Sequence, residues 1–321
     1  MKTVLVCGAG GFIGNHLVNY LKSKDNYVIG VDLKYPEFSN SQADEFEIVD
    51  LRNQYAVSKL FTKNIDDIYQ LAADMGGAGY VFTGDNDANI LHNSAQINLN
   101  ILSSMINRNI QNIFYSSSAC IYPEHNQTNL ENLNCEESSA YPANPDSEYG
   151  WEKLFSERIY MSFAKNYGIR ARIARLHNVF GPLGSYNNGK EKAPAAICRK
   201  IAESKNNGTI DIWGNGEQTR SFLYIDECLV GIEKIMASNY SFPLNLGSDR
   251  MISINNLVRL ISEISGKTIY INNINGPTGV NHRNSNNSLI KQVTGWAPEN
   301  KLEYGLKKTY DWIKTLVCEN Q

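Results

Sequence analysis

Residues Thr3-Val4-Leu5-Val6-Cys7 form an apolar run of strand length that leads directly into Gly8-Ala9-Gly10-Gly11-Phe12-Ile13-Gly14. Such a run fits a parallel strand buried on both faces. Helical periodicity takes over at once, with Ile13, Leu17, Val18 and Leu21 on one face. Glycines at 8, 11 and 14 meet three needs: a tight turn, a close backbone approach to a pyrophosphate, and close packing of helix on strand. The helix start then presents unpaired N–H groups to the phosphates. A second strand, Tyr27-Val28-Ile29-Gly30-Val31, ends at Asp32, about twenty residues past the glycines. A carboxylate there accepts hydrogen bonds from the adenosine ribose and repels a 2′-phosphate. Strand, glycines, helix, strand and acid in this order describe a dinucleotide site. They select NAD over NADP, with Lys34 the one neighbour that favours the phosphorylated form. Gly8, Gly11, Phe12, Ile13, Gly14 and Asp32 are expected to hold the cofactor.

Strand patterns then alternate with helical ones. Phe46–Val49 ends at Asp50, Asp67–Leu71 at Ala72-Ala73, and Ile113–Ser116 at Ser117-Ser118. This alternation predicts an α/β, Rossmann-type doubly wound parallel sheet. Ligands bind past the carboxyl ends of such strands, which puts Asp50, Leu51, Leu71, Ala72 and Ala73 beside the cofactor. It also puts Ser118 at a site edge.

Thirty residues on stands Tyr149-Gly150-Trp151-Glu152-Lys153. On a helix this Tyr-x-x-x-Lys spacing sets both side chains on one face, a turn apart. A nearby ammonium is expected to lower the tyrosine pKa and make Tyr149 a usable base, with Ser118 bonding the same substrate hydroxyl. Cys120, two residues beyond Ser118, is a second acid or base that alcohol oxidation does not require. Its plain alternative is a small buried residue behind the serine turn.

A net charge of −3 gives no electrostatic case for nucleic acid or an anionic membrane. No apolar stretch approaches the length of a membrane span, and the first residues lack a signal-peptide cleavage pattern. The six cysteines and five histidines are dispersed without metal-ligand spacing, so no metal is expected. Scattered single thiols suggest a reducing, cytoplasmic setting.

Five consecutive stretches carry a closer likeness: Leu71–Gly77, Ser117–Pro123, Arg175–Pro182, Glu191–Ala196 and Trp213–Phe222. With them the chain resembles the extended short-chain dehydrogenase/reductase family, and within it GDP-mannose 3,5-epimerase and related enzymes on GDP-manno-sugars, GDP-manno-heptose 4-dehydrogenases included. The resemblance implies a smaller α/β C-terminal substrate lobe. The NAD domain is expected over 1–176 plus about 221–247, with Phe222–Asp226 as a strand returning to it. The lobe is expected over 177–220 and 248–321.

The resemblance further implies that Tyr149 takes the C4 hydroxyl proton, Lys153 holds the nicotinamide ribose, and Cys120 and Lys192 form an acid/base pair on opposite faces of the sugar. For Lys192 the competing reading is a loop lysine neutralised by Glu191. Met75, Gly76, Asn178, Glu191, Lys192, Ala193, Trp213 and Gln218 are expected around the GDP-sugar, with Arg220 and Arg283 on its pyrophosphate. The expected reaction is NAD-dependent oxidation at C4 to a 4-keto sugar nucleotide, in surface polysaccharide biosynthesis. The alternative is a complete redox-neutral 3,5-epimerisation using Cys120 and Lys192, and a remote one is a non-catalytic NAD-binding scaffold. A 4,6-dehydratase would need an Asp-Glu pair where Ala119-Cys120 stands. The insert Val81–His92 is expected at the sugar pocket, Tyr186–Lys192 as a mobile lid, and the Tyr149–Ala164 helix in a homodimer.

Overall fold

The computed structural model describes residues 1–131 and 133–319. In chain order the elements are β1 (Thr3–Cys7), α1 (Phe12–Lys22), β2 (Tyr27–Asp32), β3 (Glu45–Ile48), α2 (Gln54–Leu60), β4 (Asp67–Gln70), α3 (Ala78–Val81), α4 (Asp87–Arg108), β5 (Asn112–Ser118), α5 (Glu148–Tyr167) and β6 (Arg170–Leu176). There follow β7 (Val179–Phe180), α6 (Ala193–Glu203), β8 (Gly208–Trp213), β9 (Thr219–Ser221), β10 (Leu223–Tyr224), α7 (Ile225–Ala237), β11 (Leu244–Leu246), β12 (Met251–Ser253), α8 (Ile254–Ser265), β13 (Ile269–Ile274), β14 (His282–Arg283), α9 (Ser288–Thr294) and α10 (Leu302–Glu319).

Seven strands form one parallel sheet in the order β11-β6-β5-β4-β1-β2-β3. The chain winds outward from β1 to β3, then crosses to β4 and winds the other way. The reversal lies between β1 and β4, so the ligand crevice opens past their carboxyl ends. Alternate residues of β1 and β2 feed two cores. Val4, Val6 and Val28 face one, and Leu5, Cys7, Ile29 and Val31 the other. Helices cover both faces, which is why these strands are apolar throughout rather than alternating.

The strand expected at Phe222–Asp226 is cut short. Only Leu223 and Tyr224 are extended, and they pair with β7 outside the main sheet. Ile225 already opens α7, whose first turn carries Asp226 and Glu227 where a helix N-terminus favours acids. The chain rejoins the main sheet through β11 beside β6 instead. The remaining strands form two small sheets, β8 with β13 and β12-β9-β14, while α6, α8 and α10 pack on one another.

A buried polar cluster fixes the segment after β5. Ser117 donates to Glu157, which Arg175 holds through Nε at 3.0 Å and Nη2 at 2.8 Å. Arg175 also reaches the Tyr122 hydroxyl, which donates to Asn245 Oδ1 at 2.6 Å. Each buried polar atom so satisfied avoids the cost of about 1–3 kcal/mol of an unmet one. Residues 116–122 are thereby held rigid, and they carry Ser118 and Cys120.

Candidate active site

A cavity of about 570 Å³ lies at the β1–β4 switch point. Gly8, Gly11, Phe12, Ile13, Gly14, Asp32, Asp50, Leu51, Leu71, Ala72 and Ala73 all line it. Its floor admits only backbone. Gly8 has φ +87°, and a Cβ there would meet Ala72 N at 2.8 Å. A Cβ on Gly14 would lie 1.9 Å from the Gly8 carbonyl oxygen. Gly10 belongs to this floor as well, although the spacing of the other three glycines passed it over. A Cβ on Gly10 would lie 2.1 Å from Lys34 O, and its N–H donates to Asp32 Oδ2 at 2.9 Å. The N–H of Leu33 donates to the other Asp32 oxygen at 2.6 Å. Burial raises the Asp32 pKa, and these backbone donors oppose the rise. Lys34 turns aside to Glu37 on the surface, 3.5 Å away. Asp50 is forked by Arg52, whose other arm reaches Asn93. A glycine floor without side chains and a carboxylate at the end of β2 fit a dinucleotide with an unphosphorylated ribose.

The redox residues stand at the cavity wall. Ser118, Tyr149 and Lys153 all line it, and all three are nearly buried. Helix α5 starts at Ser147, whose hydroxyl accepts from the Gly150 N–H, and this sets Tyr149 in the first turn facing β5. The Ser118 hydroxyl accepts from the Cys120 N–H at 3.1 Å. The Lys153 ammonium donates to Ser116 O at 2.9 Å and lies 5.7 Å from the centre of the Tyr149 ring.

The expected effect of Lys153 on Tyr149 needs correction. Burial is the main influence, and it pushes the Tyr149 pKa well above its ordinary value, with the neighbouring Cys120 adding to the rise and the Ser118 hydroxyl opposing it. Burial also lowers Lys153, against the pull of Glu152 and Glu157. Lys153 spends its ammonium on the Ser116 carbonyl, so spacing along the helix did not translate into a lowered phenol.

Lys192 lines the same cavity, at the N-terminus of α6. Desolvation lowers its pKa, and Cys120 is the foremost charge acting against that. Neutralisation by Glu191 does not occur. Glu191 pairs with Arg199 at 3.6 Å, and among the described residues no hydrogen bond or ion pair holds the Lys192 ammonium. Such a group costs stability. Its folded pKa lies below the ordinary 10.5, so the cost is complete at low pH and shrinks as pH rises toward 10.5. We expect Lys192→Met to unfold later than the native chain at pH 7, by about 1 kcal/mol, with the gap narrowing in alkaline buffer. Equal stability of the two proteins in denaturant titrations across that range would contradict this.

Cys120 packs against the small buried cluster of Val81, Ile90 and Tyr149. Its sulfur accepts from Arg283 Nη1 at 3.2 Å. Arg283 also donates from Nε to Gln127 and from Nη2 to Asp146 at 2.7 Å, so three of its five N–H donors are already engaged within the chain. Arg220 donates from Nη1 and Nη2 to the carbonyls of Thr219, Thr278, Val280 and Asn281, and burial with the repulsion of Arg283 lowers its pKa to about 10.

Of the other residues expected at the sugar nucleotide, Met75 and Gly76 line the cavity, while Asn178, Glu191, Ala193, Trp213 and Gln218 stand outside its lining. Asn178, at φ 43°, donates to Ser221 O, and Gln218 donates to Trp213 O. Trp213 is 40% exposed, between Gly79 and Gly276. The segment Tyr186–Lys192 is fastened, with Arg199 donating to Tyr186 O and Lys190 lying 4.0 Å over the Tyr80 ring. Asp74 was missed: its two oxygens accept from Tyr80 and Asn93 at the cavity edge. Its position just past β4 is the signal that would have found it.

The NAD-dependent epimerase/dehydratase family model matches residues 4–247. The chain belongs to that family. It is therefore an NAD-dependent enzyme of the extended short-chain dehydrogenase/reductase kind. It is 42% identical to GDP-mannose 3,5-epimerase of Arabidopsis thaliana over 97% of this chain and 82% of that protein. GDP-mannose 3,5-epimerase 1 of Oryza sativa subsp. indica is also 42% identical, over 97% and 81%. Among solved structures, UDP-N-acetylglucosamine 4-epimerase from Methanobrevibacter ruminantium superposes with TM-score 0.86 at 26% identity, covering 98% of this chain and 99% of that one. UDP-glucuronic acid 4-epimerase from Bacillus cereus, solved with UDP-glucuronic acid and NAD, superposes with TM-score 0.82 at 27% identity and the same coverage. No helix among the described residues is long and apolar enough to cross a membrane.

Proposed function

We propose that this enzyme carries out the complete 3,5-epimerisation of a GDP-manno-configured sugar, without net redox change. The observation that carries the reading is an unneutralised Lys192 lining the same cavity as the Ser118–Tyr149–Lys153 set, with Cys120 packed against the cluster that contains Tyr149. Simple oxidation at C4 requires the Ser118–Tyr149–Lys153 set alone. The 42% identity to a plant enzyme of that name supports the same choice, so release of the 4-keto sugar, the expectation from the motifs, gives way to the full cycle.

The roles follow from the chemistry of the side chains. NAD supplies a hydride acceptor and donor and, when oxidised, a positive charge. Tyr149 takes the C4 hydroxyl proton, and Ser118 holds that hydroxyl in line. The C4 ketone makes the hydrogens on C3 and C5 acidic. One of Cys120 and Lys192 removes such a proton, leaving the electron pair on the ketone oxygen as an enolate. The other returns a proton from the opposite face, which inverts the carbon. Desolvation suits Lys192 to this task, because a lowered pKa brings a lysine toward the operating pH. Tyr149 finally gives its proton back to the C4 oxygen. Burial holds the wall in place and keeps bulk water off the enolate.

The test is turnover of GDP-mannose, and separately of GDP-manno-heptose, with no added oxidant. Epimerised products in large excess over enzyme, with reduced cofactor never exceeding one per site, are expected. A 4-keto product in step with NADH would overturn the proposal.

A further inference from the structure

Cys120 has a cation set directly against its sulfur. Among the described residues only Arg283 hydrogen-bonds the sulfur, at 3.2 Å. That guanidinium is 5% exposed and gripped on its other two nitrogens. Gln127, wholly buried, accepts from Nε at 2.5 Å while its own amide donates to Tyr122 O and Pro123 O, in the same turn that carries Cys120. Asp146 accepts from Nη2, just ahead of the α5 cap. The strand bearing Arg283 is pinned in register to β9. A planar guanidinium held through Nε and Nη2 has the place of its Nη1 fixed, with one N–H aimed at one point. That point is the Cys120 sulfur.

We propose that Arg283 is the positioning residue for Cys120: it fixes the sulfur against the sugar pocket and receives the negative charge left there when the thiol gives up its proton. This rests on the acid/base reading of Cys120, and it concerns a residue that acts through the sulfur. In each proton transfer the S–H bond forms or breaks as a carbon–hydrogen bond breaks or forms, and Arg283 keeps its own protons throughout.

The test uses the reactivity of the thiol and needs no turnover. The full-length protein is treated with iodoacetamide at pH 7, and alkylation of each cysteine peptide is followed by mass spectrometry. Exposed Cys318 is the internal reference, and buried Cys7 and Cys198 report unfolding. The thiolate is the species that reacts. Arg283→Gln should lower the Cys120/Cys318 rate ratio about tenfold, as expected for loss of one close opposite charge. Arg283→Lys should keep it within about threefold of the native ratio. An unchanged ratio in Arg283→Gln, an equal fall in both variants, or a native Cys120 no faster than Cys198 would overturn the proposal. Should Arg283→Gln expose Cys7 and Cys198, Asp146→Asn decides: freeing the guanidinium from its carboxylate should raise the ratio, and an unchanged or lower ratio counts against the proposal. If these ratios behave as stated while Cys120→Ala still exchanges sugar protons with solvent, the positioning stands and the acid/base reading falls.

Discussion

Replacing Tyr149 with phenylalanine should lower kcat about 10²- to 10⁴-fold and leave NAD affinity nearly unchanged. The ring is 8% exposed and its aromatic body packs against Val81 and Ile90, contacts that phenylalanine retains. Only the hydroxyl is lost, and with it the group that moves the C4 proton. The raised phenol pKa sharpens this expectation. In the buried pocket Tyr149 holds its proton at neutral pH, so it becomes a base only when positive charge enters beside it. Activity is therefore expected to rise on the alkaline side, and the rise should disappear in the variant. Steady-state kinetics together with NAD titration by fluorescence would check it. Turnover within tenfold of the native enzyme would remove Tyr149 from the mechanism.

The second large effect belongs to Cys120. Cys120→Ala should cut formation of epimerised sugar by at least about 100-fold, because one of the two proton carriers is gone. Oxidation at C4 uses Ser118, Tyr149 and Lys153, none of which is altered. The variant should therefore stall with ketone and reduced cofactor at up to one equivalent per site, visible as the near-ultraviolet absorbance of NADH in a single-turnover experiment. Serine at the same position should rescue little, since a hydroxyl is a far weaker acid than a thiol. A variant that neither epimerises nor oxidises would show that Cys120 holds the pocket together rather than moving protons.

Much of this was open to reading along the chain. The β1 run, the glycines and Asp32 are local features, and their order alone specifies the parallel sheet and the face where the cofactor lies. The Ser118 and Tyr149 segments could be placed because each follows a strand or opens a helix of that sheet. What stayed hidden depends on partners distant in sequence. Arg283 meets Gln127 and Asp146 across more than 130 positions, so no local motif reveals those bonds. Lys153 satisfies itself on Ser116 O, a backbone atom that no motif names. Burial sets the proton affinity of Tyr149, and burial is a property of the packed molecule. The short β10 was misjudged because Leu223, Tyr224 and Ile225 are equally at home in a strand or at a helix start. Gly10 was passed over because its neighbours already satisfied the pattern.

The central claim is that protons on the sugar carbons beside C4 are removed and returned by Cys120 and Lys192. Incubation of the native enzyme with GDP-mannose in deuterated water, followed by NMR of the recovered sugar nucleotide, tests it most directly. Deuterium at both C3 and C5, protium retained at C4 and no accumulation of NADH is the expected result. Recovered sugar without deuterium at either carbon, or a 4-keto product labelled at neither, would contradict it.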